Sequence, residues 1–308
     1  MAQSILVPLD GSGFGEHALP LAMTLARRSG AELRLALVHE PVLLVEPAGG
    51  AILSAHAETA AHACEQEYLR KTAKRMQDSL GRPVKGEMMT GAVVESLLEY
   101  IHRELPQWVV MSTHGRGPLS RFWLGSVADG LVRSSPVPVL LTRPASEEPG
   151  FTKDVKIDHV VICLDGSPLG EKVIEPATTL AQTFGAEVHL LRVVQPPMFN
   201  AIDPTKANPD AFGQPETAKK QQEAKNYLEQ VATRIRTAAA KVGYDVLTDR
   251  HPAAAILSYV GQRPNALAAL STHGRSGLGR ALIGSVADKV VRGSGGPVLV
   301  CRPSERGA

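Results

Sequence analysis

The chain repeats itself. Residues 112–144 and 271–303 align without a gap at about 20 identical positions in 33, a likeness that unrelated segments do not reach by chance. Two more pairs extend the match: "ILVPLDGS" from Ile5 returns as "VVICLDGS" from Val160, and "GAELRLALVHEP" from Gly30 returns as "GAEVHLLRVVQP" from Gly185. A duplication of this length obliges each half to fold as a version of one domain, and 308 residues is about what two ordinary domains require. The offset between copies is 155 early and 159 late, so a net gain of four residues falls in the middle of the unit, where the loops differ. The polar stretch "ASEEPGFTKD", with its Pro and Gly, marks the boundary. The expected organisation is a first domain over 1–146, a linker over 147–156 and a second domain over 157–308.

Within each copy, short apolar runs alternate with stretches of helical spacing. The first copy predicts strands at Ile5–Leu9, Leu33–Val38, Val84–Met89, Trp108–Met111 and Val137–Thr142. Helices are predicted over Phe14–Arg28, Glu58–Leu80 and Val93–Glu104, and after Gly125. Pro20 and Pro176 fall inside the first helix of each copy, so a late start or a bend is expected there. Strands joined by helical crossovers give an α/β protein of two tandem domains, each a five-stranded parallel sheet with helices on both faces; the sheets are expected to be doubly wound in the order 3-2-1-4-5.

Composition removes several classes of partner. At 44% hydrophobic and 21% charged, with 33 basic residues interleaved among 31 acidic ones and a net charge of +2, nothing favours nucleic acid or a membrane surface. The apolar runs are too short to span a bilayer and no secretory leader opens the chain, so a cytoplasmic protein is expected. Cys64, Cys163 and Cys301 are odd in number and widely spaced, which leaves neither a disulfide framework nor a CxxC pair. Cys163 and Cys301 read as small buried thiols within strands.

In a doubly wound sheet the ligand crevice lies beyond the carboxyl ends of the strands, where the winding reverses. Two repeated motifs stand there: Asp10-Gly11-Ser12 after the first strand, and "STHGR", Ser112 to Arg116, after the fourth. Their second copies are Asp165-Gly166-Ser167 and Ser271 to Arg275. Gly115 and Gly274 can leave backbone amides pointing outward, and Gly125-Ser126 and Gly284-Ser285 open helices whose unpaired amides favour an anion. Asp10 and Asp165 are suited to accept hydrogen bonds from a ribose or base. The same residues also suit plain helix caps and turns. Arg116 and Arg275 fit either phosphate contact or solvation, and His114 and His273, with no partner at metal spacing, fit hydrogen bonding at the strand end. Gly13-x-Gly15-x-x-Ala18 with Glu40 suggests a dinucleotide dehydrogenase, but the second copy has Pro168, Val173 and Gln195 at three of these positions. No GxxxxGK[ST] or GxSxG spacing occurs.

The T-H-G, nine residues, Gly-Ser spacing, followed by "VADGLVRSSPVPVLLTR" in one copy and "VADKVVRGSGGPVLVCR" in the other, resembles the ATP-binding branch of the universal stress protein family over nearly the whole chain. The family pattern G-2x-G-9x-G-(S/T) matches at Gly115, Gly125 and Ser126 and at Gly274, Gly284 and Ser285; Ser112 and Ser271 replace its first Gly. The resemblance implies ATP as ligand, with Asp10 and Asp165 on adenine and ribose and the backbone of Val38 and Val193 on the base. It also implies pairing of the last strands, between the two halves of one chain or in a homodimer. With no protein ligand cluster at metal spacing in the sequence, Mg2+ or Mn2+ is expected to be held through the phosphates. The groups available for hydrolysis, His114 or His273 and Arg116 or Arg275, are few, so slow turnover at most is expected. The surviving alternative is a dimerising stress protein that binds no nucleotide. Gly277 and Gly279, against Pro118 and Trp123 in the first copy, favour the second copy as the tighter site.

Overall fold

The computed structural model describes residues 3–41, 44–45, 51–52, 55–113, 124–144, 151, 154–196, 209–236, 241–272 and 283–303. The chain divides into two compact units, Met1–Val155 and Lys156–Ala308.

Unit 1 begins with strand β1 (Ser4–Leu9), whose six residues are all buried. Such an unbroken apolar run belongs to a parallel strand covered on both faces. A 3₁₀ turn over Gly15–Ala18 leads into helix α1 (Leu19–Ser29). Pro20 thus falls in the first turn of the α-helix, where its missing N–H has no intrahelical partner to lose. The late start expected from Pro20 is what occurs, with four residues of tighter helix in front of it. Strand β2 (Glu32–His39) follows, then a small antiparallel hairpin, β3 (Leu44–Val45) and β4 (Ala51–Ile52), that the apolar pattern does not announce. Next come α2 (Ala55–Leu80), β5 (Val84–Thr90), α3 (Val93–Glu104), β6 (Trp108–Ser112), α4 (Ser126–Ser134) and β7 (Val139–Thr142). The last strand starts two residues later than its apolar run, because Ser135 Oγ turns back on Val137, donating to its carbonyl at 2.7 Å and accepting from its amide at 3.2 Å.

The larger sheet of unit 1 runs β5-β2-β1-β6-β7 with every pair parallel. The segment expected to be a linker is anchored where it is described. Asp154 accepts two hydrogen bonds from Arg27, at 2.7 and 3.0 Å, and the Val155 amide donates to Thr24 Oγ1 at 3.0 Å.

Unit 2 repeats this plan. Its elements are β8 (His159–Cys163), a 3₁₀ turn over Gly170–Val173, α5 (Ile174–Phe184), β9 (Glu187–Val194), α6 (Pro209–Ile235) and β10 (Val242–Thr248). They are followed by α7 (Pro252–Gly261), β11 (Ala266–Ser271), α8 (Ser285–Gly293) and β12 (Val298–Cys301). The sheet order is β10-β9-β8-β11-β12, again wholly parallel. Both units therefore have the 3-2-1-4-5 order, with the winding reversing between the first strand and the fourth.

Helix α3 ends on Leu105, which is forced into the left-handed region at φ 44° while 62% exposed. A side chain in that conformation is strained, and this one buries little in return. Leu105→Gly is expected to raise the unfolding free energy by about 0.5–1 kcal/mol in urea denaturation; a loss of stability would show that the Leu105 side chain contributes more than its exposure suggests.

Candidate functional site

The register of the sheet brings the sequence motifs to one rim. β1 pairs with β2 up to Leu9 opposite Leu37, so Asp10 and Val38 stand just beyond the shared ladder, while Ser112 ends β6 on the other side of β1. In unit 2 β8 pairs with β9 up to Cys163 opposite Leu191, and the Leu164 amide donates to the Leu191 carbonyl at 2.9 Å. Asp165, Val193 and Ser271 therefore occupy the matching rim.

The Asp-Gly-Ser loop has the same construction in both units. Gly11 and Gly166 take φ of 80° and 85°, a turn that a side chain would strain. Asp10 Oδ1 accepts from the Ser12 amide at 3.0 Å and from Ser12 Oγ at 2.7 Å, and Ser12 Oγ in turn accepts from the Gly15 amide at 3.1 Å. Asp165, Ser167 and Gly170 repeat the set at 2.9, 2.7 and 3.0 Å. A Cβ on Gly15 would lie 2.5 Å from Asp10 Oδ1, and one on Gly170 would strike Asp165 in the same way. Gly15 therefore serves to admit the carboxylate. This accounts for the glycine of the dehydrogenase-like fingerprint that survives in both copies, whereas Gly13 is replaced by Pro168.

On the other side of the switch point, the excursion after β6 is pinned at its base. The Gly125 amide donates to the Thr113 carbonyl at 2.8 Å, and Gly284 does the same to Thr272. A Cβ at either glycine would sit 3.2–3.3 Å from that carbonyl oxygen, so glycine permits the close return. Helices α4 and α8 then begin at Ser126 and Ser285, and their N-cap residues, Gly125 and Gly284, supply no side-chain cap. Ser271 Oγ is buried with no hydrogen-bond partner among the described residues. His114, Gly115, Arg116, His273, Gly274 and Arg275 lie outside the described residues, as do Pro118, Trp123, Gly277 and Gly279.

A cleft of about 360 Å³ opens at the rim of unit 1, lined by Asp10, Gly11, Ser12, Cys64, Glu65 and Tyr68. Its α2 wall is braced from below. Tyr68 donates to Glu16 Oε1 at 3.0 Å, and Arg75 holds the other oxygen of Glu16 at 2.5 Å. Burial and the Glu16 carboxylate push the Tyr68 phenol above its usual range, so it stays a donor. Arg234 holds Glu171 at 2.6 Å in unit 2 in the corresponding way. There Arg192, which takes the position of Leu37, lies against Gly166 close enough that a Cβ would meet its guanidinium at 2.8 Å, and it stands 5.1 Å from the Tyr227 ring. The two rims therefore differ in charge.

One residue of the rim is not signalled by any motif. His39, 2% exposed at the end of β2, has Nδ1 2.6 Å from Glu65 Oε2 and Nε2 2.6 Å from Glu58 Oε1, with His62 edge-on at 5.2 Å. Both carboxylates stabilise the imidazolium, Glu58 first, and hold its pKa above the usual 6.5. The second copy has Val194 and Ala224 at the positions of His39 and Glu65, both buried. His39 and Glu65 have been exchanged together for apolar residues, while Thr217 stands at the position of Glu58. That joint exchange was the available signal, but it becomes visible only when α2 and α6 are aligned.

A family model described as the universal stress protein family matches residues 1–143 and again 156–302. The chain belongs to the universal stress protein family. A universal stress protein of Mycolicibacterium smegmatis is 26% identical over 303 residues, covering 97% of both chains. A single-domain universal stress protein of Thermus aquaticus is 30% identical over 145 residues, all of its own length and 46% of this chain. The crystal structure of a universal stress protein from Archaeoglobus fulgidus shares the fold, with a TM-score of 0.68 at 18% identity over 99% of this chain and 97% of its own. In this universal stress protein no helix among the described residues is long and apolar enough to cross a membrane.

The His39 clamp carries a pH signature. A raised folded pKa contributes stability that is complete below the unfolded value and is lost as pH rises through the folded one. The destabilisation of His39→Gln relative to the parent chain is expected to be largest near about pH 6 and to shrink toward about pH 9. Thermal unfolding across that range measures it, and a difference that is flat or grows with pH would contradict the charged clamp.

Proposed function

We propose that the two rims are sites for an adenine nucleotide, ATP in the first instance, and that the protein is a nucleotide-responsive stress regulator rather than an efficient ATPase. The observation that carries this reading is the doubled Asp-Gly-Ser loop. In each unit a glycine is required only because a carboxylate is held in place at the end of the first strand, at the same rim as a helix whose N-cap glycine supplies no side-chain cap. A carboxylate acceptor and a set of amide donors on opposite sides of a switch point match the two ends of a nucleotide.

In this reading Asp10 and Asp165 accept from the ribose and base. The main chain of Val38 and Val193 meets the adenine edge, and the first turns of α4 and α8, from Gly125-Ser126 and Gly284-Ser285, meet the phosphates. Ser112, Gly115 and Arg116, with Ser271, Gly274 and Arg275, complete the phosphate loops, and Ser271 Oγ, without a partner among the described residues, gains one. Mg2+ or Mn2+ is held through the phosphates. The edge strands β7 and β12 are apolar and invite pairing, with each other or with a second chain. Free cysteines, Cys64 among them exposed, fit a reducing cytoplasm.

Asp10→Ala or Asp165→Ala is expected to weaken ATP at its own rim by about 1.5–3 kcal/mol, roughly 10- to 150-fold, by calorimetry on the full chain. Unchanged affinity in both variants would overturn the assignment.

Cys64 gives an independent reading of the first rim. It is exposed and lines the cleft, whereas burial pushes the Cys163 thiol up to about 12 and Cys301 higher still. Saturating ATP is expected to slow alkylation of Cys64, followed by mass spectrometry, and Asp10→Ala to remove that protection. Steady-state hydrolysis is expected to stay below about 1 per second, since the rims offer few groups that could activate water.

A further inference from the structure

At the amino end of its strands, about 20 Å of chain from Asp165, unit 2 carries a cluster that the sequence disperses. Parallel register sets His159 on β8 beside Glu187 on β9, and His189, two residues further along β9, projects from the same face. His159 Nδ1 and His189 Nε2 are 3.2 Å apart, and Glu187 Oε2 lies 3.9 Å from each. The three side chains are 18–37% exposed, so they are packed yet reachable by an ion from solvent.

The duplication shows what normally fills this position. In unit 1 Ser4 stands at the place of His159, Glu32 at that of Glu187 and Arg34 at that of His189, while Lys85 pairs across from Arg34. Glu32 there accepts from Arg34 at 2.9 and 3.0 Å and pairs with Lys85 at 2.7 Å, and Arg34 also reaches Glu104 at 2.7 Å. In unit 2 the glutamate remains, but the guanidinium has become an imidazole, the serine a second imidazole and the facing lysine Gly243. Gly243 puts no side chain beside His189, where a Cβ would make an ordinary contact with Nδ1 at 3.6 Å. Arg34 and Ser4 have thus given way to two imidazoles around the same carboxylate, which keeps one cation, Lys241.

From this convergence we infer that His159, Glu187 and His189 form a binding site for a divalent transition-metal ion, Zn2+ in the first instance, at the end of unit 2 opposite its nucleotide rim. Tetrahedral zinc with metal–nitrogen bonds of about 2.0–2.1 Å sets its two nitrogens about 3.3 Å apart, against the 3.2 Å found. Glu187 Oε2 must move inward by roughly half an ångström to join them, and its other oxygen stays with Lys241 at 2.7 Å. Solvent supplies the fourth ligand. Mixed imidazole and carboxylate donors suit zinc and its first-row neighbours rather than Mg2+ or Ca2+. The surrounding charges are mixed. Arg263, stacked on the Tyr259 ring at 3.5 Å, opposes a cation, while Asp245, bonded by Tyr259 Oη, favours one. Burial, Arg263 and His159 together hold His189 below the usual imidazole range.

The test uses the full chain after chelator treatment, titrated with Zn2+ alone by calorimetry and with Co2+ by its visible absorption. One equivalent is expected, with a tetrahedral Co2+ spectrum. The double change His159→Ser with His189→Arg, which installs the residues of unit 1, is expected to abolish that equivalent while leaving the far-ultraviolet spectrum unchanged. Should the double variant fail to fold, Glu187→Gln decides, with affinity expected to fall at least about tenfold. Absence of a bound equivalent in the parent chain, or its full retention in the folded variants, overturns the inference. Neither result bears on nucleotide binding, which the Asp10 and Asp165 variants read separately.

Discussion

Parallel pairing of the first strand with its two neighbours, β1 with β2 and β6 and β8 with β9 and β11, is the constraint on which the rest of each unit depends. The central strand is buried on both faces, and each Val, Leu or Ile in it contributes about 1.5–3 kcal/mol by leaving water. A slip of one residue would draw Asp10 into the place of Leu9, between two apolar layers where an ionised carboxylate is too costly. Register and site are therefore fixed together. The apolar run ends where the carboxylate must begin, and the turn that follows bonds that carboxylate before the helix starts.

The same pairing gives each sheet two rims of different character. At the carboxyl rim, backbone donors dominate: glycines at Gly125 and Gly284 bring helix starts close to the strand ends, and the Asp-Gly-Ser loops answer with an acceptor. At the amino rim, side chains dominate, and charge is balanced locally around a glutamate by Arg34 and Lys85 in one unit and by Lys241 with two imidazoles in the other. A duplicated chain can alter one rim without disturbing the other, because the strands between them are filled by apolar packing that both copies keep.

The two copies also act as controls for one another. His39 with Glu65 against Val194 with Ala224, and Ser4 with Arg34 against His159 with His189, are paired exchanges. The first removes His39 and Glu65 together, so neither is left without the other; the second changes the residues around a glutamate that both copies keep, Glu32 and Glu187. Removing one partner would strand a desolvated charge, whereas exchanging both is nearly neutral for the fold. The exchange at His39 and Glu65 follows that rule, and the two rims separate in their properties: a charged clamp at the first, an arginine at the second.

The sequence by itself determined the duplication, the alternation of strand and helix and the two rim motifs, because periodicity and turn chemistry act over a few residues and leave their pattern in the chain. Pro20 announced a late start or a bend in α1, and the late start is what the fold adopts. Three features were decided only by tertiary structure. Gly15 looks like part of a phosphate fingerprint until the Asp10 carboxylate is found in the space its side chain would fill. His39 is an ordinary residue at a strand end until α2 folds back and places Glu58 and Glu65 on its two nitrogens. His159 and His189 are thirty residues apart in the chain, and only strand register, a relation between segments rather than within one, sets their nitrogens side by side.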